Sequence, residues 1–311
     1  MLQYLIILLD DTATSYCHYP VSKTGQRPIP VEVLRRGIRF AMTENLMIQF
    51  VFPDCSLPED VLQEVETIDH GKIMPIVSPY AAQADVLVCE ALEALPAEAN
   101  VPVVLRTKLA DFFANHESLT ATLSAVPRLN IVFTDVENFS DKELQDYQVA
   151  LAALAQDVEH LYVEGQAPQL NLLTDRMMLK SMNNCGAGDT TLTLAPDGRF
   201  YVCPAYYGKG ESVGDLDGGI NILNPQLYRC DHAPLCRRCD AYQCKRCMWL
   251  NERLTLEVNT PSHQQCVMAH VERNVARGLL SNIRKHGTFL PEMPEIKEID
   301  YFDPFDVKEE R

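Results

Sequence analysis

From residue 1 to about 165, short apolar runs alternate with longer stretches whose apolar residues recur at helical spacing. This is the pattern of β/α units around a mainly parallel sheet. Strands are predicted at Tyr4 to Leu9, Met47 to Phe52, Lys72 to Val77, Asp85 to Cys89, Pro102 to Leu105 and Asn130 to Phe133. A helix is predicted over Pro30 to Thr43, where Val31, Leu34, Ile38 and Met42 share one face, and another over Pro58 to Ile68, where Val61, Leu62 and Val65 do. Two more are predicted over Leu109 to Ala125 and Ser140 to Tyr162, the latter opened by Ser140 with Glu143 three residues on as a capping box. A partial or complete (β/α) barrel and an open doubly wound sheet both fit this alternation.

The texture changes after Gly165 and Pro168. Thr190 to Leu194 alternates as a strand, Pro196-Asp197-Gly198 is a turn signal and Arg199 to Cys203 returns, so a hairpin is expected to open a second module. Ser262 with Gln265 predicts a helix start, and that helix runs to about Lys285 with Cys266 in its first turn. There the helix dipole would favour a thiolate. From Pro291 to Arg311 the chain carries eight acids, three bases and three prolines, which predicts a poorly ordered acidic tail. The division read from these shifts is 1–168, 169–287 and 288–311.

The 311 residues carry a net charge of −16, which disfavours a nucleic-acid partner. The apolar start, Met1 to Leu9, lacks a basic leader and meets Asp10 and Asp11, so it reads as a strand rather than a signal peptide. No apolar run approaches the roughly 20 residues that cross a bilayer, so no membrane insertion and a cytoplasmic location are expected.

Composition matters most through cysteine. Eight of the eleven cysteines fall between Cys185 and Cys266, and four read Cys236-x2-Cys239-x4-Cys244-x2-Cys247. That spacing suits metal binding, and a reducing compartment makes a disulfide framework the weaker reading. Cys17, Cys55 and Cys89 read as isolated small apolar residues. Zinc ribbons usually separate their two pairs by a longer loop, whereas iron-sulfur clusters tolerate tight spacing because their metal atoms are spread over a cube. Arg229, Arg237, Arg238, Lys245 and Arg246 surround the run and would offset thiolate charge. His232 and His263 are candidate replacements for one ligand, and Tyr201, Tyr206, Tyr207 and Trp249 are expected to pack around the site.

The order Cys185-x12-Gly198-x4-Cys203, then the central run, then Cys266 resembles the SPASM domain, which follows the catalytic barrel in a class of radical S-adenosylmethionine (SAM) enzymes that modify peptides. The resemblance implies an α/β fold: a partial (β/α) TIM-like barrel followed by a small cysteine-rich module that binds two [4Fe-4S] clusters. By position, Cys185, Cys203 and Cys247 would hold one cluster, with Cys230 or an open iron completing it, and Cys236, Cys239, Cys244 and Cys266 the other. Where radical enzymes carry CxxxCxxC after the first strand, this chain reads Asp10-x3-Thr14-x2-Cys17, and Phe52-Pro53-Asp54-Cys55 replaces the Gly-Gly-Glu segment. One thiolate cannot hold such a cluster. No SAM binding is therefore expected.

Over residues 1 to 285 the sequence is similar to the CXXX repeat peptide maturase family, through LIILLDDTATSYCHY, MNNCGAGDTTLTLAPDGRFYVCPAYY and CRRCDAYQCKRCMWLN. The resemblance implies a cysteine-repeat precursor peptide and a partner radical SAM enzyme. Two alternatives stay open: a structural zinc protein that recognises peptide, and a stand-alone enzyme using Asp10, Asp11, Cys17 and His18. Against the second, Asp-Asp-Thr also reads as a strand terminus and cap.

Overall fold

A computed structural model describes residues 2–21, 23–115, 118–182 and 185–304. Its elements in chain order are β1 (Tyr4–Leu8), α1 (Val31–Thr43), β2 (Met47–Val51), α2 (Glu59–Val65), β3 (Gly71–Pro75), β4 (Val86–Cys89), β5 (Val103–Thr107), α3 (Leu109–Asn115), α4 (Leu119–Ala125), β6 (Leu129–Phe133), α5 (Asp141–Val163) and α6 (Thr174–Met178). There follow β7 (Thr191–Leu194), β8 (Phe200–Tyr201), α7 (Pro204–Lys209), β9 (Gly214–Asp215), β10 (Gly219–Ile220), α8 (Met248–Thr255) and α9 (His263–Lys285). The fold class is mixed α/β with mainly parallel strands, the partial TIM-like architecture that the resemblance implied and one of the two that fit the alternation. Among the described residues no helix is long and apolar enough to cross a membrane.

The chain folds as two compact units, residues 1–89 with 185–232 and residues 90–184 with 233–311. In the first unit six strands run in the order β4-β3-β2-β1-β7-β8. β1 pairs in parallel with β2 on one side and β7 on the other, and only β8 is antiparallel. The hairpin expected to open a separate module instead completes this sheet. β1 is also buried on both faces, as the consecutive burial of Leu5 to Leu8 shows, which is why the strand lacks a polar alternation. Leu5, Ile7, Phe50, Leu192, Leu194 and Phe200 are wholly buried there, with Leu34 and Ile38 of α1 packed on them.

In the second unit β5 and β6 pair in parallel, and the two 23-residue helices α5 and α9 pack together. Phe112, Phe133 and Tyr147 interlock edge to face, Phe133 lying 5.3 Å from Phe112 and 5.5 Å from Tyr147. The helix expected over 109–125 is two helices, and residues 116 and 117 lie outside the described set. The tail also departs from expectation. Met293, Ile296 and Asp303 are buried, and the Arg284 guanidinium of α9 donates to the carbonyls of Phe289, Leu290 and Met293 at 3.2, 2.8 and 2.8 Å. Two apolar side chains among the acids, Met293 and Ile296, supply the reason; residues 305–311 lie outside the described set.

Candidate metal centre

In the second unit the central cysteine run is a series of tight turns strapped to α9. Cys236 opens a short turn in which the Cys239 amide donates to the Cys236 carbonyl at 3.1 Å, and the Cys244 amide donates to the Ala241 carbonyl at 3.0 Å. Between Cys239 and Cys244, Asp240 takes a two-pronged ion pair from the fully buried Arg273 at 2.9 and 2.6 Å. Gln243 donates to the Ala269 carbonyl at 2.7 Å and to Glu272 at 3.1 Å. Both straps end on α9, whose first turn carries Cys266 and whose next turn carries His270, with Nε2 at 3.4 Å from the Cys239 sulfur. The turns that carry Cys236, Cys239 and Cys244 are thus fastened to the helix that carries Cys266.

The electrostatics report the same grouping. Burial pushes the Cys244 thiol up to about 12; the Arg246 amide, donating to it, opposes this, and the fields of Cys236, Cys239 and Glu272 add to it. Cys266 is pushed up further, by burial first and then by Cys244, Cys236, Asp303 and Cys239. Burial therefore overrides the helix dipole expected to ionise Cys266. Ionising such thiols would require cationic charge beside them, which a metal centre would supply. Of the five basic residues expected to offset that charge, Arg246 alone is buried, at 1% exposure. Among the described residues no three His, Cys, Asp or Glu side chains converge on a single metal ion. The thiols are grouped at the longer range over which charges act on one another, and none of the eleven cysteines is in a disulfide. Soft sulfur donors with amide N–H groups aimed at them, from Ala241 to Cys239 at 3.4 Å and from Arg246 to Cys244, fit an iron-sulfur cluster.

The other expected ligands are distributed differently. Cys247 caps α8 in the second unit, its carbonyl accepting from Asn251 at 2.9 Å. Cys185, Cys203 and Cys230 belong to the first unit, Cys203 as the cap of α7 and Cys230 in a short turn ending at His232. His263 is engaged by carboxylates, with Nδ1 at 2.5 Å from Asp303, and its pKa is raised by that bond first. Trp249 and the three tyrosines are buried, Tyr201 donating to Asp197 at 2.7 Å.

At the end of β1, Asp10 accepts from the Thr12 amide and hydroxyl at 2.7 and 2.6 Å, the capping role. Asp11 is held by Arg27 at 3.1 Å and by the Tyr207 hydroxyl. Burial raises the Cys55 thiol, with Asp10 and Asp54 adding, while the Thr12 hydroxyl bonds it and opposes. Sequence reasoning missed His270, Glu272 and Arg273; the only signal was that His270 follows Cys266 by four residues on one helix. It also set Cys17 aside as isolated, whereas Cys17 and Cys185 both act electrostatically on Cys203.

No protein-family model and no curated protein sequence matches the chain. Solved structures do. Hexahistidine-tagged anSMEcpe with bound AdoMet superposes with a TM-score of 0.63 at 11% identity, over 92% of this chain and 96% of that one. Native anSMEcpe with bound AdoMet and the Cp18Cys peptide gives 0.60 at 11% identity, over 92% and 100%. Streptococcus suis SuiB bound to S-adenosylmethionine gives 0.50 at 10%, over 86% and 75%. At such identities the likeness is one of fold, and the chain shares the overall fold of these AdoMet-bound structures.

Proposed function

We propose that the chain is a peptide-maturation protein of the CXXX repeat kind, which binds a cysteine-repeat precursor peptide and assists its modification by a partner radical SAM enzyme. It does so in a reducing, cytoplasmic setting, with auxiliary [4Fe-4S] clusters and no SAM cleavage of its own. The observation that carries the reading is the contrast between the two ends of the molecule's sulfur chemistry. Cys236, Cys239 and Cys244 lie in turns strapped to the helix that carries Cys266, with Cys236 and Cys266 buried and Cys239 and Cys244 half-buried. The loop after β1 offers Asp10 and Thr14 where a SAM-binding cluster would need thiolates. A cluster bound by the four thiols supplies single-electron transfer. The Arg246 amide at Cys244 and the Ala241 amide and His270 at Cys239 would stabilise the charge of those sulfurs. The bound peptide of the anSMEcpe structure supports peptide as the substrate class.

Anaerobic loading with ferrous iron and sulfide tests the reading. The expected result is a brown protein with broad absorption near roughly 400 nm that releases no 5′-deoxyadenosine from SAM under reductant. Binding of zinc without iron, or SAM cleavage by the isolated chain, overturns it.

A further inference from the structure

Between α5, α9 and the stretch from Asp300 to Asp303, the second unit leaves a cavity of about 450 Å³. That volume falls within the roughly 300 to 1,000 Å³ span of ligand sites. Leu144 in the first turns of α5 and Val267 and Val271, four apart on α9, supply buried aliphatic side chains to its wall. Phe302 adds an aromatic side chain that solvent still reaches, at 36% exposure.

The polar lining is one-sided. Asp141, Asp300 and Asp303 contribute three carboxylates, and His263 is the one basic residue among the described residues that line the cavity. His263 is already engaged, with Nδ1 at 2.5 Å from Asp303 and Nε2 at 3.6 Å from Asp141. One imidazole cannot balance three carboxylates, so the cavity keeps a negative excess within a chain whose net charge is −16. Gln145 and Gln148, exposed on α5, present carboxamides that can both donate to and accept from a peptide backbone.

We propose that this cavity docks a peptide segment in which an apolar residue stands beside a lysine or arginine. The apolar side chain enters between α5 and α9, and the cation meets Asp141 and Asp300. A purely apolar ligand would strip water from these carboxylates without replacing it, and an anionic one would be repelled. The source of the segment rests on the peptide-maturation reading above: it is a part of the precursor outside the cysteine repeats, because the described lining offers no thiol and no metal-binding cluster to a cysteine.

Fluorescence anisotropy of a dye-labelled synthetic peptide, Gly-Ser-Leu-Lys-Leu-Arg-Ser-Gly, titrated with the full chain before any metal loading, tests the site. Two control peptides, one with glutamates for both bases and one with serines for both leucines, should bind roughly tenfold more weakly or worse. Asp141→Asn and Asp300→Asn should each weaken binding of the basic peptide by about threefold. Glu93→Gln and Glu98→Gln, which remove the same charge at exposed positions elsewhere in this unit, should leave it unchanged. Gln148→Trp, at an exposed position of α5, fills the cavity and should lower affinity by roughly tenfold or more. Circular dichroism checks that each variant is folded. No binding of the basic peptide, equal binding of the acidic one, equal losses in the Glu93 and Glu98 variants, or full affinity in folded Gln148→Trp overturns the site. None of these results bears on iron uptake, which tests the reading above. Conversely, a chain that takes zinc in place of iron yet passes these titrations keeps the docking site and loses the precursor as its occupant.

Discussion

Burial raises the Glu272 carboxyl from 4.5 to about 7, against hydrogen bonds from Gln243 and Tyr147 that lower it. The folded chain thus holds a proton that the unfolded chain releases between those values, so the metal-free protein loses stability as pH rises from about 4.5 to about 7. The loss is on the order of 3 kcal/mol and levels off above that range. Urea unfolding of Glu272→Gln should show a flatter profile over this window. Asp240 behaves in the opposite sense. Burial raises it, but the Arg273 pair prevails and its pKa is lowered, so its contribution is present above the usual carboxylate range and is lost in acid below about pH 4. Asp240→Asn, which leaves the buried guanidinium without its counter-charge, should cost on the order of 2 kcal/mol in the same experiment at neutral pH. None of this was legible beforehand. The cysteine spacing marks ligands because ligands cluster in sequence, whereas Asp240 and Arg273 are 33 positions apart and meet only through the fold.

Secondary elements were far more legible, because their signals are local. The capping box at Ser140 is present in full, the Glu143 amide donating to the serine hydroxyl at 3.3 Å and the Glu143 carboxylate accepting from the Ser140 amide at 2.9 Å. Ser140→Ala should cost about 1 kcal/mol, read as a lower thermal midpoint. The turn at Pro196-Asp197-Gly198 also stands, with Gly198 at a φ of 80°. Gly198→Ala forces a side chain into the left-handed region and should cost on the order of 1 kcal/mol. Where expectation ran long, a competing signal was already in the sequence. The return strand expected to reach Cys203 stops at Tyr201, because Cys203 and Pro204 begin α7, with proline in the first-turn position it favours.

At the scale of the molecule, the chain passes between its two units at 89–90, 184–185 and 232–233. The linear division at residue 168 follows composition, and composition carries no mark of β7 returning to lie beside β1. The two units also divide the sulfur, with Cys17, Cys185, Cys203 and Cys230 in one and Cys236 through Cys266 in the other. Cluster loading should therefore stabilise the protein by mass action, by about 2.7 kcal/mol for a centre present at a hundred times its dissociation constant, and chelation should reverse the gain. Differential scanning calorimetry of loaded and stripped protein measures it.

The tethering of the acidic stretch by Arg284 has a practical corollary for anyone shortening this polypeptide. Its composition invites removal at Pro291, yet Asp303 is the partner of His263, and Tyr301 lies 5.6 Å from the His270 ring that meets Cys239. A version ending at Leu290 would bare the greasy flank of α9 at Val267 and Val271 and admit water and oxygen beside the sulfurs. Such a truncated protein should clump on purification and bleach in air sooner than the intact one.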